Sequence, residues 1–227
     1  MKSKEDILNS FFSGSFEAEY NEQLMLRNYT LPSKEILDYI GVLREIPLFD
    51  FIDAAVSKYP VSHFSTKDIP QFSSLKDGTE GICEILNANG DEGYKFAEVG
   101  VFFRPENMVR DVRADVKYGE NHCKTASDFG LVQIRVGNVC YLTCFGKIFN
   151  NLTEIEKKDY LARFVIRNRF INWLLCRAIN RPVILEEEMS ILKMSTIKRR
   201  KPNVKQYLGL LNNQQDYRIE KILSNIQ

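Results

Sequence analysis

The stretch from Val132 to Thr143 alternates apolar and polar residues twice: Val132, Ile134 and Val136 precede Gly137-Asn138, and Val139, Tyr141 and Thr143 follow it. Alternation of period two puts one set of side chains on a single face, and a Gly-Asn pair tolerates the positive φ that a tight reversal demands. The stretch therefore reads as a two-stranded antiparallel hairpin. A lone hairpin is marginal in water, so its apolar face needs helices to cover it.

The preceding residues supply them. Asp77-Gly78-Thr79-Glu80 caps a helix carrying Ile82, Ile85 and Leu86, which Asn89-Gly90 ends. After the turn Gly90-Asp91-Glu92-Gly93 a second helix covers Phe96 to Phe103, and beyond Arg104-Pro105 a third runs from Lys117 toward Val132, with Gly130 as its stop. Helix, helix, helix, hairpin is the plan of a winged helix. The plan recurs in outline downstream. Thr153-Glu154-Ile155-Glu156 is a capping box opening a segment to Ala178 with an apolar stripe of Leu161, Phe164, Val165, Ile171, Trp173 and Leu174. Arg181-Pro182-Val183-Ile184 breaks it, Leu185 to Lys193 makes a short helix, Ser195 caps a longer one to about Asn212, and Asp216 to Ile226 follows.

Toward the N-terminus, Phe11, Phe12 and Phe16, then Leu24, Met25 and Leu26, mark an arm or short helices that dock on the body. Ser33 caps a helix through Ile36, Leu37 and Ile40, and Pro47 opens another through Phe51, Ile52, Ala55 and Val56. Ser57 to Lys76, polar and holding Pro60 and Pro70, reads as a linker or a loop between lobes. The expected fold is α+β, predominantly α: two winged-helix-like units, 77–150 and 151–227, preceded by a helical N-terminal region, 1–76.

With 44% hydrophobic residues the chain can bury a real core, and 31 basic against 30 acidic residues nearly cancel. Five cysteines form an odd set with no CxxC pair, which favours reduced, buried thiols over a disulfide framework. Cys140-x-x-x-Cys144 with His122 nearby lacks a fourth ligand, so no metal is expected. The N-terminus has no apolar signal region and no run approaches the roughly 18 residues needed to span a bilayer, so the expected location is cytoplasmic, with no membrane partner.

Against that balance, Ser195 to Leu208 is one-sided: it holds Lys198, Arg199, Arg200, Lys201 and Lys205 and no acid. Cations on about two helical turns neutralise phosphates, while Ser195 and Thr196 add hydroxyls and free amides at a helix start, where the dipole favours an anion. Val204, Tyr207, Leu208 and Leu211 supply the core-facing side. Pro202 denies a helix interior one hydrogen bond, so the helix starts either at Ser195 or nearer Pro202, and contact centres on its start. A solvated charge cluster is the plain alternative. A second set, Lys117, Asn121, His122, Lys124 and Thr125, sits on the helix before the hairpin, where Asn can pair bidentately with adenine and His122 can equally well cap or bond within the domain. Arg135 and Asn138 occupy the wing.

In order along the chain, Tyr94-Lys95-Phe96-Ala97-Glu98-Val99-Gly100, Lys117-Tyr118-Gly119-Glu120-Asn121-His122-Cys123-Lys124-Thr125-Ala126, Phe129-Gly130-Leu131-Val132, Leu142-Thr143-Cys144-Phe145-Gly146-Lys147 and Ser195-Thr196-Ile197-Lys198-Arg199-Arg200 resemble the tandem winged-helix modules found with prokaryotic restriction and other defence systems. The resemblance covers roughly residues 78 to 212, with departures at Cys144, Phe145 and Pro202. It implies binding of duplex DNA, as a component or regulator of such a system, beside a nuclease or ATPase protein partner. Two alternatives stand beside it. Asp115-x-Lys117, with Asp111 or Glu98 upstream, has the spacing of a Mg²⁺-dependent restriction-type nuclease; Glu156-Lys157-Lys158 has the same spacing but lies in a capped helix, where it would not work. A protein-binding adaptor subunit is the other. No GxSxG elbow, phosphate-cradling glycine loop or dinucleotide fingerprint occurs, so no catalytic residue and no cofactor is expected.

Overall fold

The computed structural model describes residues 3–18, 34–71, 74–90, 92–104, 111–212 and 216–227; the expected features at Leu24, Met25, Leu26 and Ser33 lie outside them. Its helices, in chain order, are α1 (Lys4–Ser13), α2 (Lys34–Glu45), α3 (Leu48–Ser57), α4 (Ile82–Ala88), α5 (Phe96–Phe103), α6 (Val112–Asp128) and α7 (Cys144–Asn150). They continue with α8 (Glu154–Phe164), α9 (Arg169–Ala178), α10 (Leu185–Glu188), α11 (Met194–Leu211) and α12 (Tyr217–Ser224). The strands are β1 (Tyr94–Lys95), β2 (Val132–Arg135) and β3 (Val139–Leu142), antiparallel in the order β1-β3-β2. The protein is thus α+β and predominantly α. Among the described residues no helix is long and apolar enough to cross a membrane.

The chain divides into two compact units: the first is 1–15, 39–73 and 154–227, and the second is 16–38 and 74–153. The second unit contains the hairpin. Ile134 lies opposite Cys140 and Arg135 opposite Val139, so the loop has three residues, Val136 to Asn138, where two were expected. Both Gly137 and Asn138 take positive φ, 83° and 58°, which is what the Gly-Asn pair supplies. One face of the sheet, with Val132 and Cys140 buried, packs on a core that includes Ile82, Val99, Phe129 and Phe145. Helix α5 matches its predicted span, and a π-helical turn, Asp77–Gly81, leads into α4. Helix α6 begins five residues earlier than the sequence suggested, because Asp111 accepts a hydrogen bond from the Arg113 amide at 2.9 Å and caps it. Helices α5 and α6 touch backbone to backbone: a Cβ on Gly119 would lie 1.8 Å from the Phe96 carbonyl oxygen, and one on Gly100 1.8 Å from that of Asp115. Thr143, in the Leu-Thr-Cys-Phe-Gly phrase, caps α7 by accepting from the Gly146 amide at 3.0 Å.

The first unit corrects the expected domain boundaries. Residues 39–73 share a core with 154–227 and do not form a separate N-terminal region, and the supposed linker after Ser57 is part of that core: Ile69 is fully buried and Phe64 packs edge-on against Phe170 at 4.8 Å. Buried polar side chains explain why. The Arg163 guanidinium in α8 donates to the carbonyls of Leu43, Arg44 and Ile46 at 2.7, 3.0 and 2.9 Å, satisfying orphan acceptors at the end of α2. Asn172 in α9 bonds the Val61 amide and the Tyr59 carbonyl. Helix α1, capped by Ser3 and ended by Gly14 in the left-handed region, docks through Phe11, whose ring meets Phe51 and Phe164 edge-to-face at 5.0 and 5.1 Å. The anticipated second wing is not found here. Among the described residues the unit holds no strand beyond a single parallel bridge, Val183 with Ile226, since the chain after α11 lacks an alternating stretch and Asp216 caps α12 instead.

Candidate nucleic-acid interface

Helix α11 starts at Met194 and runs through Pro202 to Leu211, with the Lys193 backbone, not the Ser195 side chain, at its N-cap. Pro202 lies inside this helix and is exposed. Ile197, Val204, Tyr207, Leu208 and Leu211 form the buried side, so Lys198, Arg199 and Lys205 face solvent on the other, with Ser195 exposed and Thr196 half-buried in the first turn. Two of the five cations are otherwise engaged. Arg200 is only 8% exposed, and its Nη1 donates to the carbonyls of Thr66 at 2.7 Å and Ile69 at 3.3 Å; burial draws its pKa down. Lys201 pairs with Glu186 of α10, and the hydrogen bond from its ammonium holds that carboxyl below the usual range. Arg200 is therefore a strut of the first unit, and the basic run is shorter at the surface than in the sequence.

In the second unit α6 presents Arg113, Lys117 and Lys124 to solvent, with Asn121 half-buried one turn beyond Lys117. Glu120 accepts from Lys117 at 2.8 Å and also pairs with Lys124, and the hydrogen bond from Lys117 comes first in lowering its pKa. His122 and Thr125 do not join this surface. His122 is 1% exposed and stacks on Phe103 at 4.0 Å between centroids. Its Nδ1 lies 2.8 Å from the Tyr118 carbonyl, which can only accept, so the proton sits on Nδ1. Burial pushes its pKa down and keeps the ring neutral. Thr125 is buried because its methyl fills the space over Gly78, where a Cβ would lie 2.7 Å away. At the hairpin, the Arg135 guanidinium lies 4.2 Å over the Tyr141 ring, fixing the cation beside the loop.

Comparison with protein-family models, with curated proteins and with solved structures finds no match.

The carboxylates of the nuclease alternative are not brought together. Asp115 and Lys117 lie on a helix, where residues two apart point about 200° from each other. Asp115 is buried in an ion pair with Arg104, Asp111 caps α6, and Glu98 accepts from the Lys95 amide at 2.6 Å. Glu156 lies in α8 and pairs with Arg44 at 2.7 Å. Among the described residues no cluster of three or more His, Cys, Asp or Glu is placed to hold a metal. None of the five thiols is in a disulfide; burial pushes Cys144 up to about 12, and Cys140 rises through a hydrogen bond with Cys123 and through burial.

The exposed members of α6 that sequence reading missed are Val112, Arg113 and Val116. Asp111, a helix-capping residue directly before them, was the available signal: starting the helix there puts Arg113 four residues before Lys117 on the same edge.

Proposed function

We propose that this chain binds duplex DNA without catalysis of its own, using α6 and the hairpin of its second unit and the exposed cations Lys198, Arg199 and Lys205 of α11 in its first. The observation that carries the reading is the arrangement of the second unit: helix, strand, helix, helix, hairpin, with sheet order β1-β3-β2. That is the order of a winged helix, whose third helix enters the major groove, and here the third helix is α6, with Arg113, Lys117, Asn121 and Lys124 along its outer edge. The first unit contributes a helix-turn-helix outline, α10 and α11, without a wing. Mostly buried thiols that form no disulfide support a cytoplasmic location. Membership of a restriction or defence system rests on the resemblance of the motifs and is tested by the neighbouring genes.

A gel shift with a mixed-sequence duplex and its single strands at 50 and 200 mM NaCl tests binding. Leaving aside Lys117 and Lys124, which share Glu120, the five other cations, Arg113 and Arg135 of the second unit and Lys198, Arg199 and Lys205 of the first, each releasing counterions with a slope of about −0.9, predict that fourfold more salt weakens duplex binding about five-hundredfold. Absence of any duplex shift at 50 mM NaCl rejects the proposal.

A further inference from the structure

Two large apolar side chains stand out on the solvent edge of α6: Val112 is 72% exposed and Val116, one turn on, 36%. Each is followed by a cation. Val112, Val116 and Glu120 make one row four residues apart, and Arg113, Lys117 and Asn121 make the row beside it. Two exposed valines beside the cations Arg113 and Lys117 suit a polyanion that carries apolar groups between its phosphates. In the major groove one base-edge group is apolar, the C5 methyl of thymine, and valine, with no donor or acceptor, can recognise nothing else there. We infer that Val112 and Val116 contact thymine methyl groups, making the second unit a reader of A·T-rich duplex DNA. Asn121, following Lys117 on the cationic row, is the side chain suited to the adenine partner. This inference rests on the DNA-binding reading of α6.

Uracil has the hydrogen-bonding edges of thymine without its methyl, so alternating dA-dT and dA-dU duplexes of equal length isolate the contact at every register. Covering one methyl is worth about fourfold in affinity, so two contacts predict about fifteenfold tighter binding of the dA-dT duplex at 50 mM NaCl. The Val112→Ala/Val116→Ala variant should lose most of that preference while keeping its salt dependence, because no charge changes. Both positions are exposed, so the variant should fold, and Val112→Thr/Val116→Thr, of the same shape, is a second check that the methyl preference tracks apolar surface. Equal wild-type affinity for the two duplexes overturns the inference and leaves DNA binding intact. A preference that survives in both variants also overturns it. Failure to bind either duplex rejects the DNA-binding reading itself.

Discussion

Replacing Arg200 with alanine removes the donor that serves the Thr66 and Ile69 carbonyls of the first unit. Thr66 is exposed, so water replaces that bond at a cost of about 1 kcal/mol or less. The Ile69 residue is fully buried, and leaving its carbonyl unpaired costs about 1–3 kcal/mol. Together the loss is about 3 kcal/mol. Divided by a urea m-value of about 2 kcal/mol/M, it lowers the unfolding midpoint by about 1.5 M. Trp173, the one tryptophan in the chain, lies in α9 of the same unit and gives the fluorescence signal. Arg199→Ala, at the exposed neighbouring position, should stay within about 0.5 kcal/mol of wild type. Arg200→Lys, with one ammonium in place of a fork, should fall between. Equal midpoints for Arg200→Ala and Arg199→Ala would refute the assignment of Arg200 to the fold.

Gly119→Ala should prevent α5 and α6 from closing, because the new methyl collides with a backbone oxygen; a loss above about 3 kcal/mol, seen as rapid reaction of Cys83, Cys123 and Cys140 with a thiol reagent, is expected, and native-like protection would contradict it. Burial holds His122 below its ordinary value of about 6.5, so the unfolded chain takes up the proton first as pH falls. Stability of the second unit present above that pH is then lost below it, and urea titrations followed by circular dichroism should show a shallower decline from pH 7 to 5 in His122→Phe. Lys198→Ala/Arg199→Ala/Lys205→Ala should weaken duplex binding alike for all sequences with no change in the urea midpoint, since phosphate contacts carry no sequence information.

The hairpin was legible because strand-like alternation and the Gly-Asn turn are local signals, and α5 because its start and stop lie in its own residues; which face of the second strand is buried was not, since the three-residue loop pairs Ile134 with Cys140 and turns Val139 and Tyr141 to the opposite face. The joining of 39–73 to 154–227 was not legible. It depends on Arg163, Asn172 and Arg200 reaching backbone groups more than 100 residues away, and no spacing reveals that a cation points inward. The same blindness inflated the candidate site: Arg200, His122 and Thr125 are buried members of otherwise surface motifs. Several of the motif phrases have a structural cause in Gly100, Gly119 and the Thr143 cap, which a fold needs whatever it binds. Arg113 escaped notice because α6 was started at Lys117, past its Asp111 cap.

Fluorescence anisotropy of a labelled duplex between 50 and 200 mM NaCl tests the interface most directly, with wild type set against Arg113→Ala/Arg135→Ala. The expected result is a wild-type plot of log affinity against log salt with a slope of about −4 to −5, reduced in magnitude by about 2 in the variant. A wild-type protein with no affinity at 50 mM NaCl, or a variant with an unchanged slope, would contradict the assignment of α6 and its wing to DNA.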